Sequence, residues 1–305
     1  MALEALLRAR GPYSLAASAR LAGDRTRVFR DGVLTCVFEA DRTPALARVW
    51  QGRDGLLRAR LESEAAGAAL DTLRFVLALE DDHTEFLRRF ARDPLLGPAT
   101  RRLQGLRPLR TATVTHALLR ALCGQLITAR EARRIEARLL RVFAGEHAGL
   151  SLPPRRSDFV PQSPAALSAH GLVARKAAAL VRISRSLDLE KLHAVPTDVA
   201  VRRIVEERAL GPWSAGVICL EGLGRYEHGL VGDLGLVKLC SRLLGRRAEA
   251  EDTTELLAGY DDWAGLASVY LLASSSPAPS PLYSGYRGRY PSRPPTFASP
   301  PTIAR

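Results

Sequence analysis

Residues 208–215 read Arg208-Ala-Leu-Gly211-Pro212-Trp213-Ser214-Ala215, and residues 230–239 read Leu230-Val-Gly-Asp233-Leu-Gly-Leu-Val-Lys-Leu239. The first stretch lies between two helical runs, Val199–Glu207 and Trp213–Leu223. Pro212 suits the first turn of a helix, where its missing N–H costs nothing. Gly211 beside it is expected to supply a backbone angle closed to other residues. Together they predict a short helix–hairpin–helix. The hairpin amides and the N-terminus of the second helix then point the same way, which makes a seat for one phosphate. Alone, the segment is a weak signal and reads more readily as a ligand-free turn between packed helices. In the second stretch, Gly232-Asp233 before the run Leu234–Leu244 reads as a helix N-cap, with the Asp oxygen accepting from free amides.

Outward from this segment the chain stays helical as far back as residue 83. Val114, Leu118 and Leu122 recur at spacing four, as do Ile135, Leu139 and Phe143, so each set marks a buried stripe. The other face of the second helix carries Arg130, Arg133, Arg134, Arg138 and Arg141, which reads either as a solvated face or as one lying along phosphate. Ala174–Leu187 and Trp263–Ala273 are further helix candidates, and Gly171, Pro196, Gly211-Pro212 and Gly232 punctuate the series.

The start of the chain reads as strands. Thr26–Arg30 and Val33–Phe38 flank Asp31-Gly32, a pair that tolerates the positive φ of a hairpin turn. Ala45–Trp50 and Leu56–Leu61 flank Asp54-Gly55 in the same way, and a helix is expected near Glu64–Leu79. The fold class is therefore α+β. A small N-terminal α+β domain (1–82) precedes a helical domain (83–273) and a tail (274–305). The tail holds eight of the 19 prolines, four arginines and no acidic residue, so it is expected to stay disordered.

Composition narrows the function. With 305 residues and 47% hydrophobic content, a sizeable core is available. The net charge is +12, of which the tail supplies only its four arginines, so the folded part is basic too and nucleic acid is the first partner to consider. No apolar run reaches the length of a membrane span, and the first residues do not read as a secretory signal, so a cytoplasmic protein is expected. Cys36, Cys123, Cys219 and Cys240 form no CxxC pair, which argues for buried thiols over a zinc ribbon or a sequential cluster. Six scattered histidines show no HExxH or HxH spacing.

In combination, Gly211-Pro-Trp-Ser-Ala215, Gly232-Asp-Leu-Gly-Leu236, Leu122-Cys-Gly-Gln-Leu-Ile127 and Gly171-Leu-Val-Ala-Arg-Lys-Ala177 resemble the helix-hairpin-helix DNA glycosylases. Within them the chain looks like the 3-methyladenine DNA glycosylase II family over roughly residues 110–273, and the two-hairpin opening resembles that family's N-terminal domain more loosely. The resemblance implies a monofunctional enzyme of base-excision repair that flips an alkylated purine out of double-stranded DNA and hydrolyses its glycosidic bond. It implies a monomer acting in the nucleoid, with no organic cofactor or metal. A monovalent cation on hairpin carbonyls is the one ion it suggests.

The resemblance also assigns roles. Asp233 falls on the catalytic aspartate. Trp213 stands where bifunctional relatives carry a nucleophilic lysine, so strand cleavage through a Schiff base is not expected, and its π-face is offered to the flipped base. Leu126 matches the side chain that wedges into the duplex, and Gln125 positions that wedge or pairs with the orphan base. Leu210, Gly211 and Ser214 belong to the hairpin that grips DNA. Ala209 replaces a glycine of the family pattern, and Val217 and Leu272 replace aromatic residues. Asp262-Trp-Ala-Gly-Leu-Ala267 departs from the usual late helix, so a less aromatic pocket is expected. A non-catalytic helix-hairpin-helix DNA-binding protein, and a glycosylase for deaminated or oxidised bases, are the alternatives.

Overall fold

The computed structural model describes residues 2–20 and 22–275. Five antiparallel strands open the chain: β1 Ala2–Leu7, β2 Arg27–Arg30, β3 Val33–Ala40, β4 Thr43–Gln51 and β5 Leu57–Glu62, in spatial order β1-β5-β4-β3-β2. Both predicted hairpins are present. Arg30 pairs with Val33 across Asp31 (φ 51°) and Gly32 (φ 80°), and Gln51 pairs with Leu57 around Gly55 (φ 78°). Left-handed residues at the turn match the twist of the strands they join. A third turn, Asp41-Arg42, links β3 to β4 with both residues at positive φ. The first strand, β1, was not anticipated, although its exposure alternates as an edge strand's should.

One sheet face buries Leu34, Phe38, Val49 and Leu61 against the helices Leu15–Arg20 and Ala66–Val76. Alternate residues on the other face, Val37 and Leu46, meet Leu150 and Leu152. Apart from a short antiparallel pair, Glu146–His147 with Leu150–Ser151, the rest of the described chain is helical around a second, larger core centred on the helix Val114–Gly124. Every residue from Val114 to Cys123 is buried, so this helix is enclosed on all sides rather than along the predicted stripe. The helix Ala129–Phe143 follows after four residues and buries Ile135 and Leu139 as expected. The last described helix runs Ala264–Ser275, two residues beyond the expected end at 273; Ser274 Oγ donates to Leu271 O and prolongs the turn. The rest of the predicted tail lies outside the described residues.

A knot of charge lies inside this core. Arg120, 7% exposed, donates to Glu136 (2.9 Å), Asp24 and Glu221. His116 Nε2 meets Glu136 Oε1 at 2.9 Å, and Arg27 pairs with Asp24 at 3.3 Å. Burial pushes the Asp24 and Glu136 carboxyls up, but the guanidinium groups of Arg27 and Arg120 overcome it for Asp24. Arg120 and the His116 hydrogen bond do so for Glu136, whose pKa falls to about 2. The ligand atoms of Asp24, His116 and Glu136 lie within 4.8 Å of one another. Arg120 already supplies the positive charge there, so this donor set does not fit a metal ion.

Candidate active site

Asp233 caps the helix Leu234–Leu244, as the sequence predicts: its Oδ1 accepts from Gly235 N at 2.8 Å. Gly232 before it sits at φ 78° and donates its N–H to Thr253 Oγ1 (2.7 Å), which sets the angle at which the chain enters the helix. The second carboxylate oxygen is engaged as well. Trp213 Nε1 donates to Asp233 Oδ2 at 3.0 Å, joining the two sequence motifs across twenty residues. The edge of the Trp213 indole thus orients the carboxylate. At the far end of the indole, a Cβ built on Gly124 would come within 2.7 Å of Trp213 Cη2, so only glycine lets the ring lie where it does. Leu272, the replacement for an aromatic residue, packs against Gly235 in the first turn after Asp233.

The hairpin joins the helices Thr197–Val205 and Pro212–Val217, with Pro212 at the first helical position. The predicted role of Gly211 is corrected. Its φ and ψ are −115° and −174°, ordinary extended backbone, and a Cβ there would meet nothing within 4 Å. The left-handed residue is Ala209 at φ 81°, where the family pattern has glycine. An alanine in that region costs about 1–2 kcal/mol. Gly211 thus leaves open space on the hairpin's outer side, whereas Ala209 carries the bend. Leu210 is buried and Ser214 is 2% exposed, so neither side chain faces solvent. Beyond Val217 the helix widens into a π-helical turn, Ile218–Leu223, which delivers Glu221 to the charged knot.

Leu126 lies in the four-residue turn between Val114–Gly124 and Ala129–Phe143. It is 77% exposed and sits at φ 61°. This is a loop side chain, not a continuation of the Leu118–Leu122 stripe. Gln125 Nε2 donates to Ala209 O (2.8 Å) and to Ser214 Oγ (3.0 Å), so its amide ties the turn to the hairpin and is not held out towards a partner. Sequence reasoning assigned nothing to Lys176, whose Nζ donates to Gln125 O at 2.7 Å. Its motif had been noted, but only a fold brings residues 51 apart into contact. The arginine face is divided. Arg133 donates to Gly23 O and Arg134 approaches Glu131, whereas Arg130, Arg138 and Arg141 are exposed.

No protein-family model matches the chain. A DNA-3-methyladenine glycosylase of Bacillus subtilis (strain 168) is 23% identical over 206 residues, which are 63% of this chain and 67% of that protein. A 3-methyladenine DNA glycosylase from Archaeoglobus fulgidus superposes with a TM-score of 0.77 at 20% identity, covering 88% of this chain and 97% of its own. An 8-oxoguanine glycosylase/lyase from Clostridium acetobutylicum superposes with a TM-score of 0.72 at 15% identity, covering 89% and 97%. The chain has the fold of the helix-hairpin-helix DNA glycosylases, the class its motifs resemble. Among the described residues, no helix is long and apolar enough to cross a membrane.

Proposed function

We propose that the protein is a monofunctional DNA glycosylase that excises alkylated purines, of the 3-methyladenine and 7-methylguanine type, from double-stranded DNA in the nucleoid. The observation that carries the reading is the Asp233 carboxylate, held on one oxygen by Gly235 N and on the other by Trp213 Nε1. Alkylation at N3 or N7 makes the purine cationic, so the base leaves as a neutral molecule and needs little acid help. The C1′–N bond breaks with its electron pair going to the base. Water oxygen bonds to C1′ and gives up a proton to solvent through Asp233. The carboxylate stabilises the positive charge that develops at C1′. The face of Trp213 offers an electron-poor base about 0.5–2 kcal/mol of cation–π attraction. A tryptophan at this position leaves no amine for Schiff-base chemistry.

DNA would lie on the open side of Gly211, where backbone can approach a phosphate closely, with Leu126 entering the stack. The hairpin cation fits poorly. The carbonyls of Glu207, Arg208 and Ala209 already accept from Leu210 N, Arg182 and Gln125, and the Arg182 guanidinium stands against the loop. No step here uses a cation.

The test is single-turnover base release from duplexes carrying 7-methylguanine, 3-methyladenine, hypoxanthine or 8-oxoguanine, with Asp233→Asn beside the native protein. Release from the first two is expected, and Asp233→Asn should slow it by about 10²–10³ or more. Asparagine has a single oxygen, so it keeps either the cap or the indole bond at a cost of about 1 kcal/mol. A folded Asp233→Asn protein that releases base at the native rate would sink the mechanism. Release confined to hypoxanthine or 8-oxoguanine would move the protein to another lesion class, and no release from any duplex would favour a DNA-binding module.

A further inference from the structure

Leu126 combines two features that together need an explanation: a bulky side chain left in solvent and a backbone in the left-handed region. A conformation of that kind persists only where the surroundings over-determine it. Two contacts do so here. The Lys176 ammonium donates to Gln125 O, the carbonyl of the peptide unit leading into Leu126. Holding that peptide plane fixes ψ of Gln125 and φ of Leu126 together. The Gln125 side-chain amide is held in turn by Ala209 O and Ser214 Oγ of the hairpin.

Lys176 is an unusual residue to bury. It is 4% exposed and sits in the first turn of the helix Ala174–Ser186. Burial lowers its pKa, and the nearby groups that act on it are Cys123 and Arg175, with no carboxylate among them. A buried ammonium without a counter-charge is costly, and an apolar side chain of the same length would pack its stem more cheaply. The ammonium is therefore accounted for by the carbonyl it holds. A cation on a carbonyl just past the end of Val114–Gly124 would also serve as a plain helix cap, so the two roles must be separated by measurement.

We propose that Lys176 is a positioning residue for strand insertion. By clamping the Gln125 carbonyl it keeps Leu126 in its strained, projecting form, and the Gln125 amide registers that projection against the hairpin. The proposal rests on the reading of the protein as a base-flipping glycosylase. When DNA reaches the hairpin, the side chain that must enter the base stack is already held at its entry angle.

The test uses the full chain with Lys176→Met, which keeps the stem and removes the donor, Lys176→Arg, which returns one, Leu126→Ala, and the Lys176→Met/Leu126→Ala double variant. The readouts are the single-turnover release of 7-methylguanine at saturating protein, and the fluorescence of a 2-aminopurine placed beside an abasic-site analogue, which brightens on unstacking. Lys176→Met should lower both release and the rate of unstacking ten- to a hundredfold, within the range that misplacing a group by about an ångström produces. Lys176→Arg should recover most of the loss. On the Leu126→Ala background, Lys176→Met should add less than about twofold, because it acts through the side chain already removed. Independent, multiplying losses would overturn the proposal. So would a fall in unfolding midpoint that accounts for the lost rate and is not rescued by arginine. If the native protein releases no base, the parent reading fails, but the unstacking arm still decides this one: native unstacking slowed by Lys176→Met supports it, and no effect rejects it.

Discussion

The helix Val114–Gly124 and the turn that follows it invert the usual rule of burial. Halfway along the helix, Arg120 lies in the core with three carboxylates around it. Six residues later, Leu126 stands in solvent. Buried charge calls for a reason, whereas scattered exposed apolar residues are commonplace; Leu126 calls for one because its exposed side chain is carried on a left-handed backbone. The reasons differ. The charged groups of the knot meet partners within the chain: Arg120 gathers Asp24 from the N-terminal region, Glu136 from the next helix and Glu221 from the π-helical turn. The exposed leucine is left uncovered by the described chain, and in the proposed function it is the base stack of DNA that covers it.

The largest effect should come from breaking the charged knot. Arg120→Met leaves Asp24, Glu136 and Glu221 facing one another without their shared cation, and is expected to cost about 3–5 kcal/mol, measured by denaturant unfolding near pH 7. Acid should attack the same place. Asp24 and Glu136 have pKa values below those of the unfolded chain, so the unfolded chain binds protons first as the pH falls. The contribution of Glu136 is therefore full above its ordinary value of 4.5 and is lost as the pH drops towards about 2, while Asp24, held lower still by Arg27 and Arg120, keeps its contribution further into acid. Unfolding midpoints followed from pH 7 to pH 2 should fall in that window, and Glu136→Gln should flatten the fall while lowering stability at neutral pH.

Smaller changes belong to the strained residues that Gln125 links. Ala209→Gly removes the left-handed penalty and returns part of it as chain entropy, so a gain of about 0.5–1 kcal/mol is expected from thermal unfolding. A loss there would mean that the bend is set by something other than Ala209. The smallest change in stability belongs to Leu126→Ala, within about 0.5 kcal/mol, because no cavity is opened. Base release by the same variant should nevertheless fall at least tenfold. A loss of several kcal/mol would instead place Leu126 in the core and erase the contrast between the two regions.

Much of the frame was legible in the sequence. Asp31-Gly32 and Asp54-Gly55 announce two hairpins because aspartate and glycine tolerate positive φ, whereas Asp41-Arg42 closes the third turn without a glycine to mark it. The N-cap at Asp233 and the proline at the start of its partner helix follow from local backbone chemistry. What could not be read was lateral. The bond from Trp213 to Asp233, the grip of Gln125 on Ala209 and the approach of Lys176 to Gln125 join residues 20 to 84 apart, and no spacing rule encodes them. Arg120 looked like one arginine among 41, because sequence records that a side chain is charged but not that the chain has closed around it. The glycine at 211 was misread for a related reason: the sequence shows where a turn lies, not which of its residues takes the left-handed step.

The indole bond to Asp233 also gives the site an optical voice. The chain has three tryptophans, at positions 50, 213 and 263. Indole emission responds to the group its N–H meets, here Asp233, and to any ring laid against its face, where the proposed function puts the flipped base. With phenylalanine at the other two positions, all indole light would originate beside Asp233. The arrival of a base, and its departure after cleavage, could then be timed in unlabelled protein by colour and brightness alone.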